Sequence, residues 1–188
     1  MPRPAIGIYG SATTGSAEVA DKAHRLGATL GARGCRVITG ACSGLPYAAA
    51  RSAAAGGGEV WGFSPMHDLE GQRTFTPNDD LAVYSRLIFV PRTLEFAADL
   101  DVCKKYRNVV STAACDGAIV IAGRWGTLHE FCSLVDFGKV VGVLTGTGDI
   151  ADELPGLFAR IDKKTRAVVL FDESPEALVD AVVSAATT

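Results

Sequence analysis

Residues 123–130 read Gly-Arg-Trp-Gly-Thr-Leu-His-Glu and follow the apolar run Ala118-Ile119-Val120-Ile121. A buried strand that turns through glycines into a helix leaves the first helical N–H groups without intrahelical partners, and such a helix start holds phosphate. The spacing opens the helix at Thr127 and puts a carboxylate, Glu130, in its first turn. Two readings of Glu130 stand side by side. Thr127-x-x-Glu130 is a capping box in which the helix satisfies its own amides; alternatively the carboxylate faces a ligand. Arg124 either crosses the place where a glycine would leave room for phosphate or binds that phosphate. Trp125 either stacks on a base or packs against the helix.

Two further apolar runs end in small residues, at Tyr9-Gly10-Ser11-Ala12 and Thr39-Gly40-Ala41-Cys42-Ser43-Gly44. Glycine after a strand can be nothing more than a tight turn. Together, though, Gly10, Ser11, Gly40, Ser43 and Gly44 join Gly123, Arg124, Gly126 and Thr127 as candidate phosphate or nucleotide contacts. The dinucleotide fingerprint G-x-G-x-x-G is missing after the first strand, and no G-x-x-x-x-G-K-[ST] loop occurs, which disfavours NAD and Walker-type ATP binding. Three such turns favour a mononucleotide. His129 and Cys132 share a helix face at i, i+3, but two groups make no metal site, and no metal or other cofactor is implied. His67 and Asp68 are either lid residues or part of a solvated loop. Asp99 and Asp101 receive no role.

The elements that must position these turns alternate along the chain. Strands are expected over 5–9, 35–39, 59–63, 87–90, 118–121, 140–144 and 167–171. Ser16 caps a helix with Val19, Ala23, Leu26 and Leu30 at helical spacing, ended by Gly31 and Gly34. An alanine-rich helix spans 46–55 and stops at Gly56-Gly57-Gly58. Residues 64–86 read as a long polar loop. Helices follow over 96–114, 127–137 and 152–161, and Ser174-Pro175-Glu176 opens the last one. Alternating strands and helices imply right-handed crossovers and a parallel sheet covered on both faces. The fold class is α/β: a single Rossmann-like three-layer sandwich with a central parallel sheet, residues 1–188 forming one nucleotide-binding domain.

With 188 residues the chain suits one domain. Its formal net charge of −3 gives no reason to expect nucleic acid, and Lys104-Lys105-Tyr106-Arg107 and Lys163-Lys164-Thr165-Arg166 read as solvated helix ends. No apolar stretch spans a membrane and no signal-peptide core precedes the first strand, so a cytoplasmic location is expected. Five cysteines without a C-x-x-C pair suit reduced, mostly buried thiols.

Ile6-Gly-Ile-Tyr-Gly-Ser11, Val37-Ile-Thr-Gly-Ala-Cys-Ser-Gly44 and Arg124-Trp-Gly-Thr-Leu-His-Glu130 together resemble the LONELY GUY (LOG) family. That family was long labelled "lysine decarboxylase-like" and is related to the Rossmann domain of DNA-processing protein A. The resemblance covers about residues 5–145. It implies a homodimer or tetramer that hydrolyses the N-glycosidic bond of a nucleoside 5′-monophosphate. In the family signature P-G-G-x-G-T-x-x-E, Gly123, Gly126, Thr127 and Glu130 match, Ala122 replaces the proline and Arg124 the second glycine. Arg107 lies where the family's helix arginine would be, followed by Asn108 in place of lysine. These departures are similar to an outlying branch that also resembles molybdenum-cofactor carrier proteins.

The resemblance assigns catalysis to Arg107 and Glu130. Breaking a ribosyl C–N bond develops positive charge on the sugar, which a carboxylate stabilises while activating water. Arg107 binds phosphate or assists the leaving base, unless it is a solvated helix charge. The leading reading is a phosphoribohydrolase that releases base and ribose 5-phosphate from a purine nucleoside monophosphate or a related phosphate-bearing small molecule. The alternative is a non-catalytic carrier or sensor of a nucleotide-like ligand such as molybdenum cofactor. A third reading is an interaction module that keeps the fold without a ligand. No lysine stands in a context for pyridoxal phosphate, so a decarboxylase is unsupported. Light scattering should give a mass of at least twice the 19.6 kDa monomer at micromolar concentration; a monomer mass would overturn the oligomer.

Overall fold

The computed structural model describes residues 3–161 and 163–187. The elements run β1 (Ala5–Gly10), α1 (Ala17–Ala32), β2 (Arg36–Thr39), α2 (Leu45–Ala55), β3 (Glu59–Phe63), α3 (Leu69–Phe75), a 3₁₀ turn (Leu81–Val83) and β4 (Arg86–Ile88). They continue as α4 (Leu100–Ala114), β5 (Gly117–Ile121), α5 (Trp125–Asp136), β6 (Val140–Leu144), α6 (Asp149–Arg160), β7 (Val168–Asp172) and α7 (Pro175–Ala186). The strands form one sheet in the order β4-β3-β2-β1-β5-β6-β7, every neighbouring pair parallel. This is the expected three-layer α/β sandwich. The order reverses where β1 pairs with both β2 and β5. A crevice opens outside the carboxyl ends of the strands at such a switch point.

Alternation along the strands builds two cores, as a sheet covered on both faces requires. Ile6, Ile8, Ile119 and Ile121 face one side, with Leu26 and Leu30 of α1 and Val179 and Val182 of α7. Ala5, Tyr9, Ala118 and Val120 face the other, with Phe131 and Leu134 of α5 and Leu154 of α6. Full burial of each isoleucine or leucine contributes about 1.5–3 kcal/mol.

Ser16 caps α1 and Ser174 caps α7 as read from the sequence, each accepting an amide N–H with its side chain. Several boundaries differ. Helix α1 runs through Gly31, and only Gly34, at φ +66°, makes the left-handed exit. The segment 64–86 is not one loop: Asp68 caps α3 by accepting from the Gly71 amide at 2.8 Å. Short length hid α3, because the about two turns of a seven-residue helix carry too little periodicity to read. Helix α4 starts at Leu100 under an Asp99 cap, which gives Asp99 its role; Phe96 lies outside the helix, 58% exposed. Leu100 is also exposed, whereas Cys103 is buried and Val110 packs on the second core. Helix α6 begins three residues before the expected start, at Asp149. Of the five free cysteines, 35, 103 and 115 are buried, 42 is half-buried and 132 exposed.

Helices α1 and α2 touch closely because Gly27 has no side chain: a Cβ there would lie 2.7 Å from the Ala49 carbonyl carbon. Gly156, inside α6, has open space at the same position. Gly27→Ala should therefore cost about 1–3 kcal/mol through overpacking, while Gly156→Ala should stabilise by about 0.5–1 kcal/mol. Chemical denaturation of the two variants checks the opposite signs.

Candidate functional site

The crevice at the switch point holds a cavity of about 500 Å³. The end of β1 supplies Tyr9, Gly10 and Ser11, the β2–α2 turn supplies Gly40 and Cys42, and α5 supplies Gly126, Thr127 and Glu130. Helix α4 forms another wall with Asp101, Lys104, Lys105, Arg107 and Asn108, and Arg124 stands at the start of α5. Eight of the eleven candidate residues, Gly10, Ser11, Gly40, Arg107, Arg124, Gly126, Thr127 and Glu130, thus meet at one place.

Ser43, Gly44 and Gly123 do not line it. Ser43 donates to the Asp79 carboxylate at 2.8 Å. Gly44, at φ +86°, backs onto the Ser11-Ala12 backbone, where a side chain would collide. Gly123, at φ +92°, makes room for the Thr127 side chain. All three shape turns. Trp125 does not pack against its helix; it is 82% exposed. His67 bonds the carbonyl oxygens of Val90 and Ala97, each at 2.9 Å, and Asp68 pairs with Arg92, so both tie loops together.

The turn into α5 is built from two consecutive left-handed residues, Ala122 at φ +49° and Gly123. Proline cannot occupy the first of these, since its ring fixes φ near −65°. The Ala122 amide is also needed, donating to Thr147 Oγ1 at 2.9 Å. The residue at helix entry is Arg124, with no side-chain cap, and the first intrahelical bond runs from the Leu128 amide to the Arg124 carbonyl at 2.9 Å. Trp125, Gly126 and Thr127 therefore carry the leading amides, which suit an anion. This geometry removes the capping box. Thr127 is the third helical residue and Glu130 the sixth, so Glu130 lies in the second turn.

Glu130 is buried, and burial pushes its carboxyl up to about 7, against the opposing pull of Arg107 and Lys105. Arg107 is buried too and is not a solvated helix charge. Burial works against its charge, but Cys42 and Glu130 more than restore it, so the guanidinium is held firmly protonated. Its Nη1 donates to the Gly40 carbonyl oxygen and its Nη2 lies 3.6 Å from Cys42 Sγ, while Nε has no partner. A Cβ at position 40 would occupy the guanidinium's space, so glycine at the end of β2 is what lets Arg107 in. The turn beyond is held by Gln72, which donates to the Ala41 carbonyl at 3.0 Å. Asn108 Nδ2 donates to the Gly126 carbonyl at 3.3 Å and pins α4 to the start of α5.

Asp101, Lys104, Lys105 and Asn108 line the cavity in addition to the residues expected from the sequence. The basic group at 104–107 does not simply end a helix in solvent; Lys104 and Lys105 face the cavity. A signal was present: 101, 104, 105 and 108 follow i, i+3, i+4, i+7, one face of a helix. The second basic group, at 163–166, includes Lys163 paired with Asp136 at 2.6 Å, away from this cavity.

A profile described as the SLOG cluster4 family matches residues 3–179. No curated protein sequence matches the chain. Among solved structures, the molybdenum cofactor binding protein of Rippkaea orientalis is 18% identical, with TM-score 0.70 over 98% of each chain. The molybdenum cofactor carrier protein of Chlamydomonas reinhardtii is also 18% identical, with TM-score 0.67 over 100% of each chain. DNA processing protein A of Streptococcus pneumoniae, 18% identical, aligns with TM-score 0.68 over 95% of this chain and 61% of its own. At these identities the likeness shows the fold alone.

The burial of Glu130 has a measurable consequence for stability. Its carboxyl titrates near 7 in the fold and near 4.5 when exposed, so between those values the folded state holds the extra proton. Stability from this group is complete below the lower value, falls as pH rises through the folded one and is flat above it. Glu130→Gln removes the ionisation. Its melting temperature relative to the parent should rise by several degrees from about pH 5 to about pH 8. A difference that does not change with pH contradicts the burial of this carboxyl.

Proposed function

The chain belongs to the SLOG cluster4 family, and from that membership and the cavity's chemistry we propose a hydrolase of the N-glycosidic bond in a purine nucleoside 5′-monophosphate, releasing free base and ribose 5-phosphate. The observation that carries this reading is a buried carboxyl raised to about 7 in the same cavity as a buried guanidinium, beside an open helix start. Perturbed groups of this kind mark functional sites. The 5′-phosphate sits on the amides of Gly126 and Thr127 with Arg124 beside it. That places the ribose along α5 toward Glu130. Ionised Glu130 stabilises positive charge on the sugar and takes a proton from the attacking water. The water oxygen bonds to C1′, the C1′–N bond breaks with its electron pair going to the base, and the proton ends on the base nitrogen. Arg107 favours the ionised carboxylate and meets negative charge developing on the departing base.

A second reading rests on a specific feature. Arg124, which lines the cavity at the start of α5, stands where the LOG signature has glycine. Two of the structural neighbours are named for molybdenum cofactor, and a carrier of such a phosphate-bearing ligand would use the same amides without turnover. We propose a homodimer, or a tetramer made from two such dimers, for either reading, and a cytoplasmic location. Among the described residues no helix is long and apolar enough to cross a membrane.

Incubation with a panel of nucleoside monophosphates and assay of free base separates the two. The hydrolase reading expects base release that rises with pH through about 7 as Glu130 ionises. It also expects Glu130→Gln to lose about 100-fold or more in turnover. Tight binding without base release, with Glu130→Gln changing affinity alone, supports the carrier. A protein that binds no phosphate-bearing nucleotide overturns both.

A further inference from the structure

The cavity carries more positive charge than a nucleoside monophosphate needs. Lys104, Lys105, Arg107 and Arg124 line it against two acids, Asp101 and Glu130. Lys104 and Asp101 satisfy each other at 2.9 Å. Among the described residues, no carboxylate lies within ion-pair distance of Lys105, Arg107 or Arg124. Glu130, titrating near 7, supplies about half a negative charge at neutral pH. The surplus is therefore between two and three positive charges, in a protein whose formal net charge is −3. A terminal phosphate brings about −1.5 to −2, so one phosphate leaves about half to one positive charge over. Arg107 is buried with its Nε unpartnered, and buried Asn108 keeps a free Oδ1, so the walls of this cavity hold polar groups that the protein itself does not satisfy.

The cations are also set apart. Asn108 is fixed at the start of α5 by its bond to Gly126. Lys105 stands three residues earlier on α4, about 4.5 Å along the axis toward that helix's own N-terminus. Arg124 and the leading amides of α5 form one anion locus, and Lys105, exposed at the rim, forms a second. Lys105 lowers both the Glu130 carboxyl and the His129 imidazole, so its charge reaches into the site.

We infer that the natural ligand carries two linked phosphoryl groups, a nucleoside 5′-diphosphate moiety, the first held by the α5 amides with Arg124 and the second by Lys105. This rests on the reading of the cavity as a nucleotide site and replaces the monophosphate of that reading with a diphosphate. The moiety is shared by free nucleoside diphosphates and by nucleotides esterified on the second phosphate.

The test uses the intact protein and C-nucleoside 5′-mono- and diphosphates of one base, whose glycosidic carbon–carbon bond is not hydrolysed, with titration calorimetry at fixed low salt. The unaltered protein should bind the diphosphate at least about 10-fold more tightly than the monophosphate, a gain of about 1.4 kcal/mol. Lys105→Ala should shrink that ratio to about 3-fold or less while monophosphate affinity changes by less than about 3-fold. Lys105→Glu should reverse the preference. A diphosphate ester of the same base, bound as well as the free diphosphate, assigns the site to the esterified class, and one bound at least about 10-fold more weakly assigns it to the free form. Equal affinity of the unaltered protein for mono- and diphosphate overturns the inference but leaves the nucleotide reading standing. So does Lys105→Ala weakening both ligands equally, since Lys105 then serves the first phosphate. Binding of neither ligand overturns the nucleotide reading as well.

Discussion

A guanidinium and a carboxyl are buried together where the strand order reverses, and much of the surrounding architecture serves to make that tolerable. Charges removed from water cost several kcal/mol each unless other groups compensate. Arg107 finds the Gly40 carbonyl, the Cys42 sulfur and the field of Glu130. Each depends on local sequence. Gly40 has no side chain to block the guanidinium. Ala41 keeps its left-handed conformation between Thr39 and Gln72, so the β2–α2 turn presents its carbonyl and thiol. Glu130 stays half neutral near pH 7, because its burial is only partly offset by Arg107 and Lys105. Such a group can give or take a proton at neutral pH.

Much of the fold was legible in the sequence because both sheet faces are buried, and the strands stand out as short apolar runs between turns. Strands β3 and β6 matched to the residue, and the Ser16 and Ser174 caps are where their spacing placed them. What the sequence hid was short or non-local. Helix α3 is too brief to show a period, yet its Gln72 supports the turn that holds Arg107. Helix α5 starts at Trp125, two residues before the Thr127 that the sequence indicates, because a Thr-x-x-Glu pattern imitates a capping box. The left-handed pair Ala122-Gly123 advances the helix and moves Glu130 from the cap to the cavity wall.

The site was legible in its anchors and not in its rim. Arg107 and Glu130 meet because α4 and α5, the helices before and after β5, pack side by side on one face of the sheet. Gly44 stands at the entry of α2 and Gly123 just beyond β5, and positive φ and close packing account for both without a ligand. The sequence around Lys104 and Lys105 reads as a solvated helix end, the usual place of a basic group. Only the strand order shows that this helix start overhangs the crevice. The replacement of proline by Ala122 is likewise structural, as its φ and its amide bond to Thr147 both exclude proline.

The account turns on one arrangement, a phosphate at the start of α5 and a ribose anomeric carbon beside Glu130. The most direct measurement is a crystal structure of Glu130→Gln with a bound nucleoside 5′-monophosphate. The account predicts phosphate oxygens about 2.7–3.2 Å from the Gly126 and Thr127 amide nitrogens, Arg124 on the same phosphate, and C1′ facing position 130. A phosphate seated elsewhere, with Arg124 filling the turn and position 130 away from the sugar, would contradict it.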